Sequence, residues 1–180
     1  MDNRSKLYRM AVVGLMAAVM CLLGPWSIPI GVVPISFTNL VIYLAVYALG
    51  RKKSTISCVI YLLIGLIGLP VFSNFTGGAS KLLGPTGGYL LGFAFMAWIA
   101  GSFIDRFLNQ WVLCFTGLVL GTAVCYALGT VWLAHQAGLS ARAALAAGVI
   151  PFIPGDLAKI AIATLIGPQL RQRLIRANLF

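Results

Sequence analysis

The sequence is poor in charged residues, and it is poorest in acids. Only 9% of its 180 residues are charged, and Asp and Glu together number three, whereas about 25% of residues in soluble domains are charged. The acids Asp2, Asp105 and Asp156 are scattered, and the single histidine, His135, has no acid or serine motif beside it. We therefore predict neither a metal site nor a catalytic site, and we do not expect an enzyme.

The sequence also lacks the usual nucleotide-binding motifs. Neither a GxxxxGK[ST] phosphate loop nor a GxGxxG segment occurs, so we expect no cofactor on this chain, and any ATP must be used by a partner. The four cysteines lie in separate apolar runs without CxxC spacing. They are interpreted as small buried apolar residues.

Apolar residues, in contrast, are abundant. They make up 61% of the chain, and a bilayer core requires about 20 largely apolar residues per helix. The sequence predicts an all-α integral membrane protein that forms a single domain over residues 1–180. Six transmembrane helices are expected, near residues 7–24, 36–50, 54–72, 87–104, 111–134 and 150–168.

The basic residues alternate with these spans. Cytoplasmic loops of membrane proteins are enriched in Lys and Arg, and a cytoplasmic N-terminus places most of the thirteen basic residues inside: Arg4, Lys6, Arg9, Arg51, Lys52, Lys53, Arg106, Arg171, Arg173 and Arg176. Lys81 and Arg142 then lie outside, and Lys159 lies in the last span. We predict that both termini are cytoplasmic, and the net charge of +10 needs no nucleic acid to explain it. A cleaved signal peptide is disfavoured because PWSIP, and no A-x-A-like site, follows the first apolar run.

Asp156 and Lys159 stand out as opposite charges inside an apolar run. In PFIPGDLAKI, Pro154 favours a helix start, which places Asp156 in the first turn and Lys159 on the same face. A charge inside a bilayer costs about 2.5–3.5 kcal/mol, so the two residues form either a structural ion pair or a binding site. We favour a site, because ionisable residues inside a membrane are usually functional.

A glycine-rich loop, FTGGASKLLGPTGGYLLGF at residues 75–93, runs directly into an apolar helix. Its position on the outer side and the lack of a phosphate-loop lysine argue against a phosphate site. We interpret the loop as a lid or wall with backbone amides and polar and aromatic side chains, although an ordinary re-entrant turn is the alternative. The candidate ligand contacts are Asn74, Phe75, Gly77, Gly78, Lys81, Thr86 and Tyr89.

Small residues form a stripe on the first predicted helix. Gly14 and Ala18 are four positions apart, and such spacing lets helices approach closely in lipid. The stripe serves either packing within this protein or docking onto a partner membrane subunit.

Several segments resemble the signature segments of the BioY family, the biotin-specific substrate-binding subunits, or S components, of energy-coupling factor (ECF) transporters. They are GLPVFSNFTGG at 68–78, GPTGGYLLGF at 84–93 and PGDLAK at 154–159, and the resemblance covers roughly the whole chain. VPISFTNL at 33–40 resembles the family's segment before the second span. Thr38 stands there where many members have glutamine, so we assign Thr38 no ligand role.

The resemblance implies a protein of the prokaryotic cell membrane that binds biotin with high affinity on the outer face. Its partners would be a transmembrane coupling (T) subunit and two ABC-type ATPases, which use ATP to drive delivery inward. In that family the Asp and Lys of the last-helix motif belong to the pocket, which implies this role for Asp156 and Lys159. The first-helix stripe is the coupling surface, which implies docking at Gly14 and Ala18.

Two other functions stay open at this point. The chain could be an S component for another vitamin, because S components share an architecture and differ in the pocket. It could also be a membrane scaffold subunit without a small ligand, in which Asp156 and Lys159 form a structural pair.

Overall fold

The protein is an α-helical bundle with a small antiparallel strand pair at one end. The structure, a computed structural model, describes residues 3–176. The side chains of residues 3–6 and 9 are not described. The predicted cytoplasmic positions of Arg4, Lys6 and Arg9 therefore lie outside the described side chains. The elements are α1 (Asn3–Leu23), β1 (Ser27–Ile28), β2 (Ile35–Ser36), α2 (Thr38–Leu66), α3 (Ala79–Leu83), α4 (Gly87–Phe107), α5 (Trp111–Ala137), α6 (Ala141–Gly148) and α7 (Ile153–Arg176).

Helix α2 is broken at Gly50. This residue has φ 74° and ψ 177°, a conformation that glycine adopts at little cost because it lacks a Cβ. Thr38, in the first half of α2, and Tyr61, in the second, line the same cavity, although a straight helix would separate them by roughly 34 Å. The two halves therefore run back alongside each other, in agreement with the two segments predicted at 36–50 and 54–72.

Glycines allow α4 and α5 to pack closely. A Cβ on Gly121 of α5 would lie 2.9 Å from the backbone oxygen of Met96 in α4, and a Cβ on Gly92 of α4 would lie 2.9 Å from the sulfur of Cys125. No larger side chain fits at either position without a shift of the helices. The absence of a Cβ thus fixes the distance between the two helices that form one wall of the site described below.

The six predicted spans are not all recovered by helix length and composition. Within residues 3–176, α4 and α5 are each long and apolar enough to cross a membrane, and α6 and α7 together form a third candidate, bent by 48°. The apolar part of α1, Met10–Leu23, is shorter. Helix α2 is interrupted at Gly50, and three basic residues directly follow the break: Arg51, Lys52 and Lys53.

The predicted boundaries need correction at three places. The third predicted span, 54–72, ends early, because α2 stops at Leu66 and the chain turns through Gly68, which has φ 111°. The last span, 150–168, begins at Ile153 and continues to Arg176. The predicted connection at 135–149 contains α6, which begins after Ser140, whose hydroxyl accepts a hydrogen bond from the Ala143 amide at the helix start.

Candidate functional site

The Asp156 carboxylate lies at the centre of a buried polar cluster near the start of α7. It is only 4% exposed. Its Oδ1 accepts hydrogen bonds from Asn39 Nδ2 at 2.7 Å and Lys159 Nζ at 3.0 Å, and its Oδ2 accepts one from the Tyr126 hydroxyl at 2.6 Å. A buried carboxylate is stable only when it is paired and hydrogen-bonded. Three elements, α2, α5 and α7, therefore meet at one charged group.

Lys159 connects this cluster to the strand pair. Its Nζ donates to the backbone oxygen of Ser36 at 2.8 Å, to Asn39 Oδ1 at 3.3 Å and to Asp156 Oδ1 at 3.0 Å. An ammonium group has three donors, and all three are used. Because Ser36 belongs to β2, any rearrangement of Lys159 changes its hydrogen bond to that strand.

A cavity opens beside the cluster. It encloses about 440 Å³, its opening included, and both Asp156 and Lys159 line it. The rest of the lining is mostly aromatic and apolar, with contributions from the strand segment, α4, α5 and the segment before α7: Val33, Pro34, Tyr89, Phe93, Met96, Cys125 and Phe152. The site thus combines one polar, charged wall with apolar walls, which is the usual composition of a small-molecule pocket.

A second cavity adjoins the first. Its empty volume is about 340 Å³, which includes space open to solvent, and it shares Val33, Pro34, Ser36, Tyr89 and Phe93 with the first. Thr38, Tyr61, Ser73 and Thr86 complete its wall. The Tyr61 hydroxyl is buried there and has no hydrogen-bond partner within the described residues. The two cavities are thus neighbours, and each has polar groups in its lining.

A model of the BioY family matches residues 1–176. Thermotoga maritima biotin transporter BioY is 40% identical over 151 residues, which cover 83% of this chain and 88% of the relative. Biotin transporter BioY2 of Lactococcus lactis is 31% identical over 176 residues, which cover 98% and 97%. The chain belongs to the BioY family.

A solved structure agrees with this assignment. A crystal structure of the S-component for biotin from an ECF-type ABC transporter is 33% identical to the chain and superposes on it with a TM-score of 0.87, covering 96% of this chain and 95% of the other. The resemblance read from the motifs is therefore confirmed. So is the prediction that the chain is not an enzyme, because the BioY family consists of transporter components.

The BioY signature segments reach the cavities only in part. Tyr89 lines both cavities and Thr86 lines the second. Asn74 instead accepts a hydrogen bond from the Ser27 hydroxyl at 2.8 Å, and Phe75 is 59% exposed and packs on the edge of Trp26. Roles for Asn74 and Phe75 as ligand contacts stay predictions.

Three more predicted contacts of the BioY glycine loop lie away from both linings. A Cβ on Gly77 would collide with the Leu69 carbonyl, and Gly78 has φ 88°, so both glycines are required by the path of the backbone. Lys81 lies in α3, where partial burial lowers its pKa. As ligand contacts Gly77, Gly78 and Lys81 also stay predictions.

Sequence reasoning missed Asn39 and Tyr126. Both contact the Asp156 carboxylate, and both line the first cavity. Asn39 is an uncharged amide one position after Thr38, and Tyr126 is one of six tyrosines. A signal was present for Asn39, because an asparagine within an apolar run also requires a polar partner; Tyr126 gave none.

The small-residue stripe of α1 faces outward. Gly14 and Ala18 are exposed, and a Cβ on Gly14 would have no atom within 4 Å. The neighbouring Val13 and Ala17 are buried instead. Nothing in the part of the chain that the structure describes packs against the stripe at Gly14. Among the described residues no group of His, Cys, Asp and Glu could hold a metal ion.

Proposed function

We propose that this chain is a biotin-binding S component, and that biotin occupies the cavity beside Asp156. The observation that carries the proposal is the buried Asp156–Lys159 pair on the wall of a cavity, at 3.0 Å. A structural ion pair would need no adjoining space. The choice of biotin as the ligand rests on the relatives, which are named as biotin transporters.

The polar wall suits the ureido group of biotin. That group has two N–H donors and one carbonyl acceptor. The Asp156 carboxylate has about four lone-pair sites, and Asn39, Lys159 and Tyr126 use three of them. It can therefore accept an N–H from the ligand. Lys159 can donate to the ureido carbonyl if it gives up one of its three present contacts.

The apolar walls suit the remaining ring. Tyr89, Phe93, Met96 and Phe152 offer aromatic and thioether surfaces to the sulfur-containing ring of the bicycle. The valerate chain then extends past Tyr89 into the second cavity. There the Tyr61 hydroxyl and Thr38 provide polar groups near the outer loops. In this arrangement Thr38 faces the ligand chain and not the ureido group.

The membrane arrangement follows from the helices and charges. We infer six crossings, with both termini cytoplasmic, in which the two halves of α2 count separately and α7 is the last span. Asp156 lies near the outer end of α7, and the basic residues around Arg51 and Arg171 lie inside. The exposed stripe at Gly14 and Ala18 then offers a surface for a T subunit, and two ATPases bound to that subunit supply the energy from ATP, because the sequence has no phosphate loop. The whole assembly resides in the cell membrane of a prokaryote.

Equilibrium dialysis of the detergent-purified protein with radiolabelled biotin tests the binding role. We expect saturation at one biotin per chain, with displacement by unlabelled biotin and none by riboflavin or thiamine. Displacement by another vitamin alone would assign a different S component. An absence of bound vitamin in a protein that remains monodisperse would favour the scaffold.

A further inference from the structure

A third cavity, of different character, lies at the opposite end of the molecule from Asp156. It is open to solvent, has an empty volume of about 820 Å³ with its opening included, and is lined by Arg51, Ser102, Phe103, Asp105, Arg106 and Phe107. Arg171 contacts Asp105 there. It stands fifteen positions after Asp156 on α7, so the two sites are separated by about 22 Å along that helix. This cavity plays no part in the binding site proposed above.

Backbone geometry places Arg51 at this cavity. The break at Gly50 turns the chain back, and the Arg51 amide donates to Asp105 Oδ2 at 2.9 Å. Gly101 of α4 lets the turn approach, because its Cβ would lie only 2.5 Å from Arg51 Cα. The Arg51 guanidinium lies over the Trp98 ring at 4.5 Å. It is thereby held at the cavity wall in a defined position.

The one carboxylate at the cavity is already neutralised. Asp105 Oδ2 accepts the Arg51 amide, and Oδ1 accepts from Arg171 Nη1 at 3.0 Å. Among the described side chains, the guanidinium groups of Arg51 and Arg106 form no ion pair; that of Arg51 donates to Ser102 Oγ at 3.4 Å, and that of Arg106 lies over the Phe107 ring. The cavity therefore presents two arginine side chains that no carboxylate neutralises.

Aromatic surface borders these arginines. Phe103 and Phe107 are partly buried in the cavity wall, and Trp98 is 46% exposed beside Arg51. Guanidinium groups bind phosphate oxygens in a bidentate manner, and tryptophan is enriched at the level of lipid headgroups. A soluble phosphate needs the arginines alone, whereas a phospholipid uses both the arginines and the apolar wall.

We propose that this cavity binds the headgroup of an anionic phospholipid, with its phosphate on Arg51 and Arg106 and its acyl chains along Trp98 and Phe103. Lys52, Arg173 and Arg176 are exposed near the same end of the chain and add to the positive potential. The inference rests on the membrane placement proposed above, and it does not depend on biotin binding. Bound lipid would hold the Gly50 turn and α4 together at the membrane surface.

Native mass spectrometry of the full chain in detergent, titrated with phosphatidylglycerol and separately with phosphatidylcholine, tests the proposal. We expect phosphatidylglycerol to bind more tightly, and Arg106→Gln and Arg51→Gln each to weaken it about fivefold, which corresponds to one basic contact. Arg142→Gln removes one exposed charge at a distance from this cavity and serves as the matched control. It should change the affinity less than about twofold.

Two outcomes would overturn the proposal. The first is an affinity for phosphatidylglycerol that falls equally in Arg106→Gln and Arg142→Gln, which would reduce the effect to general charge. The second is competition by glycerol 3-phosphate at equal concentration, which would make the cavity a site for soluble anions. Arg106 is exposed, so its variant should keep the melting temperature of the parent, and its affinity for biotin should be unchanged. If the unmutated protein fails to bind biotin, that result would count against the proposed function and not against this lipid site.

Discussion

The two oxygens of the Asp156 carboxylate contact different parts of the protein. Oδ1 lies between Asn39 and Lys159, whereas Oδ2 accepts only the Tyr126 hydroxyl among the described residues, at 2.6 Å. The Oδ2 side is therefore the one where a ligand N–H can be added without displacing an existing donor. The Tyr126 hydroxyl fixes the orientation of the carboxylate.

Replacement of Tyr126 by Phe should weaken biotin binding. The change removes one hydrogen bond to a charged group, worth about 1.5–3 kcal/mol, and lets the carboxylate rotate, so we expect a loss of at least about tenfold. Tyr47→Phe is the matched control, because the Tyr47 hydroxyl is buried, makes no hydrogen bond of good geometry among the described residues and lines neither cavity. Equal affinities of the two variants in a binding titration would exclude Tyr126 from the site.

At this scale, charge made part of the site predictable. Asp156 and Lys159 could be predicted because charged residues are rare in an apolar run, and Tyr89 because it follows a distinctive glycine motif. Asn39 gave a weaker signal, as an uncharged amide in an apolar run, and Tyr126 gave none, because its role depends on which helices lie side by side. Asn74 and Phe75 were predicted together with Tyr89 as loop contacts, yet Asn74 contacts Ser27 and Phe75 packs against Trp26.

Among the elements, the break in α2 controls both ends of the bundle. It sends the second half of α2 back towards the site, where Tyr61 borders the cavity, and it places Arg51 at the opposite end. The conformation at Gly50 lies in a region that residues with a Cβ rarely adopt. The position of the break in α2 thus depends on a single residue, Gly50.

Gly50→Ala should destabilise the protein by about 1–3 kcal/mol, the usual cost of forcing a side chain into such a conformation. Its Cβ would also lie 2.6 Å from Asp105 Oδ1 and disturb the carboxylate that caps the turn. We expect a lower melting temperature in detergent. Gly14→Ala, at an exposed helical position with no atom near the added Cβ, should leave it unchanged or slightly raised. A Gly50→Ala protein as stable as Gly14→Ala would contradict this role of the break.

Helix α1 carries a separate prediction. Ala18→Leu adds bulk to an exposed stripe, so we expect normal biotin binding but slower uptake in cells that supply the T subunit and both ATPases. Ala127→Leu, at an exposed position on α5, is the control. A loss of folding or of binding in Ala18→Leu would favour packing within the chain, and unchanged uptake would exclude a docking role.

The elements were predictable to different degrees. Long apolar runs gave α4 and α5 with the correct starts at residues 87 and 111, because a run of that length has few alternatives. The two segments of α2 were separated by their charged turn. Helix α6 was missed because its eight residues, ARAALAAG, are too short and too small to distinguish from a loop by apolar content. Its position is set by packing against α5, which apolar content does not show.

In the molecule as a whole, charge separates the two ends. The buried pair and the two adjoining cavities of the candidate site lie near one end, and the basic residues of α2, α4 and α7 lie at the other. Helix α7 carries Asp156 and Lys159 at one end and Arg171 at the other, so a tilt of this helix would move both. Helix α7 therefore runs from the candidate site to the basic end of the molecule.

The central claim is that the Asp156 carboxylate binds biotin, and calorimetric titration of the purified protein tests it most directly. We expect one-to-one binding of biotin by the parent protein and a loss of at least about tenfold in Asp156→Asn, which keeps the shape but removes the charge. Thr164→Val, a buried change farther along α7 that lines neither cavity, should bind as the parent does. Size-exclusion profiles and melting temperatures would establish that both variants are folded. Full biotin affinity in a folded Asp156→Asn protein would contradict the account.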